Sequence, residues 1–111
     1  VSVIERLQKR RAYPVNIDGD VIHIRALRAS ELAVASGFQN DDESIGFVIG
    51  YGVVNDDGSQ AMLPVEGETA KDFGARVLST LDLPLDTRSE ITSKIMKLSN
   101  GPLSADELKK N

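Results

Sequence analysis

The chain has 111 residues, one histidine (His23) and no cysteine. That length fits one domain around a single modest core, and the lack of cysteine excludes a disulfide framework or a thiolate metal site. Net charge is −4 but uneven: residues 1–28 hold Arg6, Lys9, Arg10, Arg11, Arg25 and Arg28 against Glu5, Asp18 and Asp20, so this head is +3 and the remainder −7.

No apolar run is long enough to span a membrane, and the opening VSVIERLQKRR has no apolar h-region, so no signal peptide is expected. Residues 1–11 read as a basic N-terminal helix. Ser2 is its cap, and Val3, Ile4 and Leu7 share one side. So short a helix is marginal alone; its apolar side needs a partner, in its own domain or in a neighbouring copy. Its charge reads as a solvated face, as a contact between copies or as a contact with phosphates.

A β-hairpin follows over 13–25. With a two-residue Asp18-Gly19 loop, Val15 faces Ile22 and Tyr13 faces Ile24. Tyr13, Val15, Ile17, Ile22 and Ile24 then share an apolar face, with Pro14, Asn16, Val21, His23 and Arg25 on the other. A bulged four-residue turn would scatter the apolar set, so alternation favours the tight loop. Pro14 lacks a ladder donor and implies an edge strand.

The helical part is expected over 30–101. Ser30 is a candidate N-cap, with Glu31 in the first turn and Gly37 as the stop. After the acidic loop QNDDES, Ser44 is a candidate cap for SIGFVIGYGVV. That segment is ambiguous. Its β-branched and aromatic content suits a strand and its glycines weaken a helix. Its length and its Gly46/Gly50 face favour a buried helix, with strand as the alternative. Asp56-Asp57-Gly58 reads as a turn, and residues 62–63 as a short extended piece.

Thr69 caps a helix carrying Phe73, Val77, Leu78 and Leu81. Pro84 interrupts, and Thr87 to Glu90 has the form of a capping box before Ile91, Ile95 and Leu98. The short connection predicts an antiparallel helical hairpin, with Asn100-Gly101-Pro102 as its stop. Residues 102–111 form a polar tail. The fold class expected is mainly α with a small N-terminal β-hairpin (α+β), helices packed on a two-stranded antiparallel ribbon, in a single domain over 1–101.

Little here points to catalysis. One histidine on the polar side of a hairpin supports no nucleophile-base order. The acidic clusters lack the alternation of a calcium loop. No phosphate-cradling or dinucleotide fingerprint is present, and RLQKRR lacks the aromatic interleaving and motif context of a nucleic-acid reader. We expect no enzyme, cofactor or metal.

Three segments together carry a resemblance: VNIDGDVIHIRALRASEL, with Ile22, Ile24, Arg25, Leu27 and Glu31; the apolar run FVIGYGVV into a turn with Asp56 and Gly58; and a closing helix with Ile95, Leu98, Ser99, Asn100 and Gly101. Over residues 13–101 the chain resembles the tail assembly chaperones of long-tailed (siphovirus-type) bacteriophages. VIGYGVV departs from the more alanine- and leucine-rich helix expected there.

The resemblance implies a non-enzymatic protein of the host bacterial cytoplasm, absent from the mature virion. It would bind and coat the tape measure protein and self-associate into an open array. It would also engage the tail tube protein through a frameshifted extension, for which Lys109-Lys110-Asn111 is a candidate slip region. No membrane partner is implied. Head-to-body charge pairing suits an open array, because heterologous contacts that do not close build helices.

For self-association the candidates are Val3, Ile4, Leu7, Lys9, Arg10 and Arg11. For the client they are Phe38, Phe47 and Phe73, as anchors in a helix-in-groove mode. The competing expectations are a structural subunit of a phage tail or neck and a small nucleic-acid-binding regulatory protein.

Overall fold

The hairpin forms in the register that alternation selects. In the computed structural model, which describes Val3, Ile4 and residues 12–100, β1 (Tyr13–Ile17) pairs antiparallel with β2 (Asp20–Ile24). Val15 lies opposite Ile22 and Tyr13 opposite Ile24. Asp18 and Gly19 both take positive φ, 52° and 88°, the geometry that matches the twist of a two-residue loop. The Gly19 N–H donates to Asn16 Oδ1 at 3.0 Å. Ile17 and Ile24 are buried, Val15 and Ile22 half-buried, and Tyr13 lies exposed at the far end.

The sheet has three strands rather than two. The segment read as ambiguous is both things in turn: helical to Gly52, then β3 (Val53–Val54), which places Val54 opposite His23 and Val53 opposite Ile24. Strand order is β1-β2-β3, so β1 is an edge, as Pro14 implied. With a two-residue loop, the pairs 13/24, 15/22 and 17/20 exchange the ladder bonds, so the outward N–H positions of β1 fall at residues 14 and 16. Pro14 supplies none, and this edge is poorly equipped to receive another strand.

Four helices complete the described fold: α1 (Ala29–Ser36), α2 (Asp41–Gly52), α3 (Ala70–Leu81) and α4 (Leu85–Ser99). Thr69 caps α3 as expected, its hydroxyl oxygen accepting from the Asp72 N–H at 3.1 Å. Three other starts move earlier than the sequence suggests. Arg28, not Ser30, is the N-cap residue of α1, because the Glu31 carboxylate reaches back to the Arg28 N–H at 2.8 Å. Asn40, not Ser44, caps α2, accepting from the Glu43 N–H at 2.8 Å. The supposed acidic loop is thus the first turn, where carboxylates suit the positive end of the helix. Pro84 precedes α4, which starts at Leu85, so Thr87 lies inside the first turn rather than at a cap.

Helices α3 and α4 do not form a hairpin packed chiefly on each other; both pack on α2, which is the centre of the domain. Glycines make that approach possible. A Cβ at Gly46 would overlap the backbone of Gly74 on α3, and one at Gly50 would overlap the Phe73 ring. The core joins Ile17 and Ile24 of the sheet to Phe47, Val48 and Ile49 of α2, Phe73 and Val77 of α3, and Ile91 and Ile95 of α4.

Between sheet and α3 the chain turns over residues 55–59. Gly58 has φ of 89°, and Asp57 Oδ1 accepts from the N–H and the hydroxyl of Ser59 at 2.9 and 2.6 Å, so the Asp-Asp-Gly run is a turn. The short piece at Met62 and Leu63 joins no sheet; the isolated bridge in this region pairs Gln60 with Val54.

Arg76 then clamps Glu68 through Nε and Nη2 at 2.8 and 3.0 Å and holds the Leu63 carbonyl at 2.8 Å. The Arg76 hydrogen bonds to Glu68, with one from the Val65 N–H, hold the Glu68 carboxyl below its ordinary value of 4.5. A depressed folded-state value contributes stability above the unfolded value and loses it as pH falls. Wild type and Glu68→Gln are therefore expected to differ in urea stability at pH 7 and to converge as the pH falls below about 4. A gap that persists unchanged at low pH would contradict the assignment.

Candidate docking groove

The hairpin's apolar face overhangs the end of α3. Ile17 and Ile22 supply one wall, and Leu81, Leu83 and Pro84, at the α3–α4 connection, supply the other. Ile49 and Val53 form the floor, with Ile91 from α4 beside them. The result is an open apolar groove of about 280 Å³. It suits the apolar stripe of a helix rather than a whole helical cylinder.

Local chemistry builds each wall. Residue alternation aims Ile17 and Ile22 to the same side. The α3 helix ends in Asp82, which takes left-handed geometry at φ 46°. Pro84 then breaks the chain between α3 and α4, leaving Leu81, Leu83 and Leu85 short of burial; Leu85 is 74 % exposed. The hairpin turn is tied to this end, since Thr87 Oγ1 donates to the Asp18 carboxylate at 2.9 Å.

The polar groups lining the groove are Asp18, Asp20 and Thr87, and no cation lines it. Asp82 and Asp86 follow Leu81 and Leu85 directly and are exposed. The rim is therefore acidic. An apolar groove with an acidic rim favours a partner segment that is apolar on one side and basic beside it.

The proposed client anchors are placed differently. Phe47 and Phe73 are buried core side chains, 3 % and 1 % exposed, and present no ring to a partner. Phe38 is half-buried, its ring centroid 5.7 Å from that of Phe47. Phe47 continues to Tyr51 at 4.6 Å and Tyr51 to Phe73 at 5.1 Å, so these rings form an internal aromatic row. Of the self-association candidates, Val3 and Ile4 are helical and mostly exposed, at 60 % and 63 %. Leu7, Lys9, Arg10 and Arg11 lie outside the described residues, as do the 102–111 tail and its Lys109-Lys110-Asn111 end.

The residues of RALRASEL act as a joint. β2 ends at Ile24, and the Arg25 N–H donates to the Gly52 carbonyl at 2.8 Å. The Arg25 side chain, placed on the polar face by alternation, is instead buried at 3 % exposure. Its guanidinium meets both Glu31 oxygens at 3.2 and 3.3 Å and the Ala26 carbonyl at 2.9 Å. The Leu27 N–H donates to Ser99 Oγ at 2.8 Å, tying this joint to the end of α4.

A second hollow, polar and about 300 Å³, opens beside Arg25, Arg28, Glu31, Gly58 and Gln60. Arg25 is paired within it. His23 is half-buried on the outer face of β2, opposite Pro14 and Val54. Among the described residues no three His, Cys, Asp or Glu side chains are grouped to hold a metal ion. No described helix is long and apolar enough to cross a membrane.

The fold is a mixed α+β unit: a short antiparallel sheet packed on a central helix, with an open apolar groove at its edge. Compared with protein-family models, curated proteins and solved structures, the chain matches none.

Proposed function

We propose that the protein is a non-enzymatic assembly chaperone that binds apolar helical stretches of a longer client. The groove between Ile22 and Leu81 is the observation that supports it. An apolar groove that accepts one stripe of a helix suits a client offering many similar stretches. Weak sites then gain avidity when many copies line one client. With the resemblance to tail assembly chaperones, the client is the tape measure protein of a long-tailed bacteriophage. The setting is the cytoplasm of the infected cell, and the copies associate along the client. The tail tube protein is the partner of a frameshifted extension.

Co-expression with the tape measure protein tests the reading. The client is expected to stay soluble and to co-elute with this chain in large molar excess. A client that aggregates equally with and without the chain would sink it. Finding the chain in purified virions would instead favour a structural tail or neck subunit.

A further inference from the structure

We propose that the acidic-rimmed groove of one copy receives residues 1–11 of a second copy, so that unloaded chains join head to groove. The proposal rests on the groove being a docking surface, and it assigns the first occupant of that surface.

Complementary chemistry stands on both sides. Val3, Ile4 and Leu7 sit at the spacing of a single helical side, and Val3 and Ile4 are exposed rather than covered by their own domain. Beside them are Arg6, Lys9, Arg10 and Arg11. The groove offers apolar walls with Asp18 and Asp20 at its lining and no cation. The segment's chemistry is thus the one the groove favours: an apolar side for its walls, cations for its rim.

Chain direction favours a second copy. β1 runs toward the groove: Ile17 lines it, and Tyr13 stands at the opposite end of the strand, roughly 13 Å away. Ala12, which precedes Tyr13, therefore lies at the end of β1 away from the groove. Head and groove are different surfaces, so the contact is heterologous. Repeated without closure, it yields an open chain of copies. Each contact is small, so the association is weak, with Kd of about 10 μM or more.

Sedimentation velocity on the full chain tests this with two variants, one on each side. Val3→Asp with Ile4→Asp removes the head, and Leu81→Glu closes the groove at a partly exposed position. Circular dichroism and melting curves establish that each variant folds. Wild type is expected to associate with rising concentration, and to do so less as salt is raised from 0.05 to about 0.5 M. Each variant alone is expected to associate at least about tenfold more weakly.

The decisive sample is the mixture. The head variant keeps an intact groove and the groove variant an intact head, so together they should form a dimer that grows no further. A mixture that stays monomeric overturns the proposal. So does a wild-type chain that stays monomeric up to 1 mM, because the segment would then be seated in its own groove or in none. Client co-elution can survive either result, so the two readings fail separately.

Discussion

Alanine at Gly46 is expected to destabilise the domain by about 3 kcal/mol, or to prevent folding altogether. Helix propensity alone predicts the reverse, a gain of about 1 kcal/mol for alanine over glycine inside a helix. Packing decides the sign. A Cβ at Gly46 would overlap the carbonyl and Cα of Gly74, and neither is a side chain that can swing away. α2 and α3 would have to separate, and α2 is the element on which both α3 and α4 rest.

Gly74→Ala is the gentler control. Its Cβ would sit 3.0 Å from the Glu43 carbonyl and the Phe47 nitrogen, so small shifts suffice and the loss should be smaller. Urea denaturation of the two variants checks the order. A stabilised Gly46→Ala protein would show that the helices do not cross at this pair.

Glu31→Ala is expected to cost about 3 kcal/mol, because it leaves a buried guanidinium without its carboxylate. Arg25 is 3 % exposed, and its remaining hydrogen bond runs to the Ala26 carbonyl. Part of the loss is the cap on α1, worth about 1 kcal/mol, since Glu31 also accepts the Arg28 N–H. The double change Arg25→Met with Glu31→Leu separates the two. It removes both charges and should recover most of the loss apart from the cap. If Glu31→Ala alone costs less than about 1 kcal/mol, Arg25 has found another partner or water.

The hairpin and α3 were open to reading because local chemistry dictates them. Asp18-Gly19 with the alternation on either side selects the two-residue turn, which fixes every side chain's face; Thr69 and the Phe73–Val77 stripe mark a helix that tertiary packing does not oppose. The segment over 45–54 was harder for a physical reason. Its glycines weaken a helix locally yet permit the crossing with Gly74 and Phe73, a benefit visible only once the partner is in place. Val53 and Val54 leave the same run to join β2, and two residues are too few to show alternation.

Arg25 lies one residue past the end of β2 at Ile24, where strand alternation no longer sets the side chain's face. Ser30, Ser44 and Thr87 are all good caps by residue type, but the backbone turns into the helix earlier in each case. The site was the least visible part. Ile17, Ile22, Leu81 and Ile91 are apolar whether they fill a core or line a groove, and the sequence distinguishes neither. The phenylalanines illustrate the converse, since Phe47 and Phe73 looked like anchors and are buried.

We propose that one end of the domain, between the hairpin turn and the α3–α4 connection, engages an apolar helical segment. Hydrogen exchange of the chain with and without co-expressed tape measure protein tests this most directly. Added protection is expected over residues 17–22 and 81–87. Unchanged exchange there, with protection gathered instead at the outer face of β2 around His23 or along α1, would mean that the client binds elsewhere.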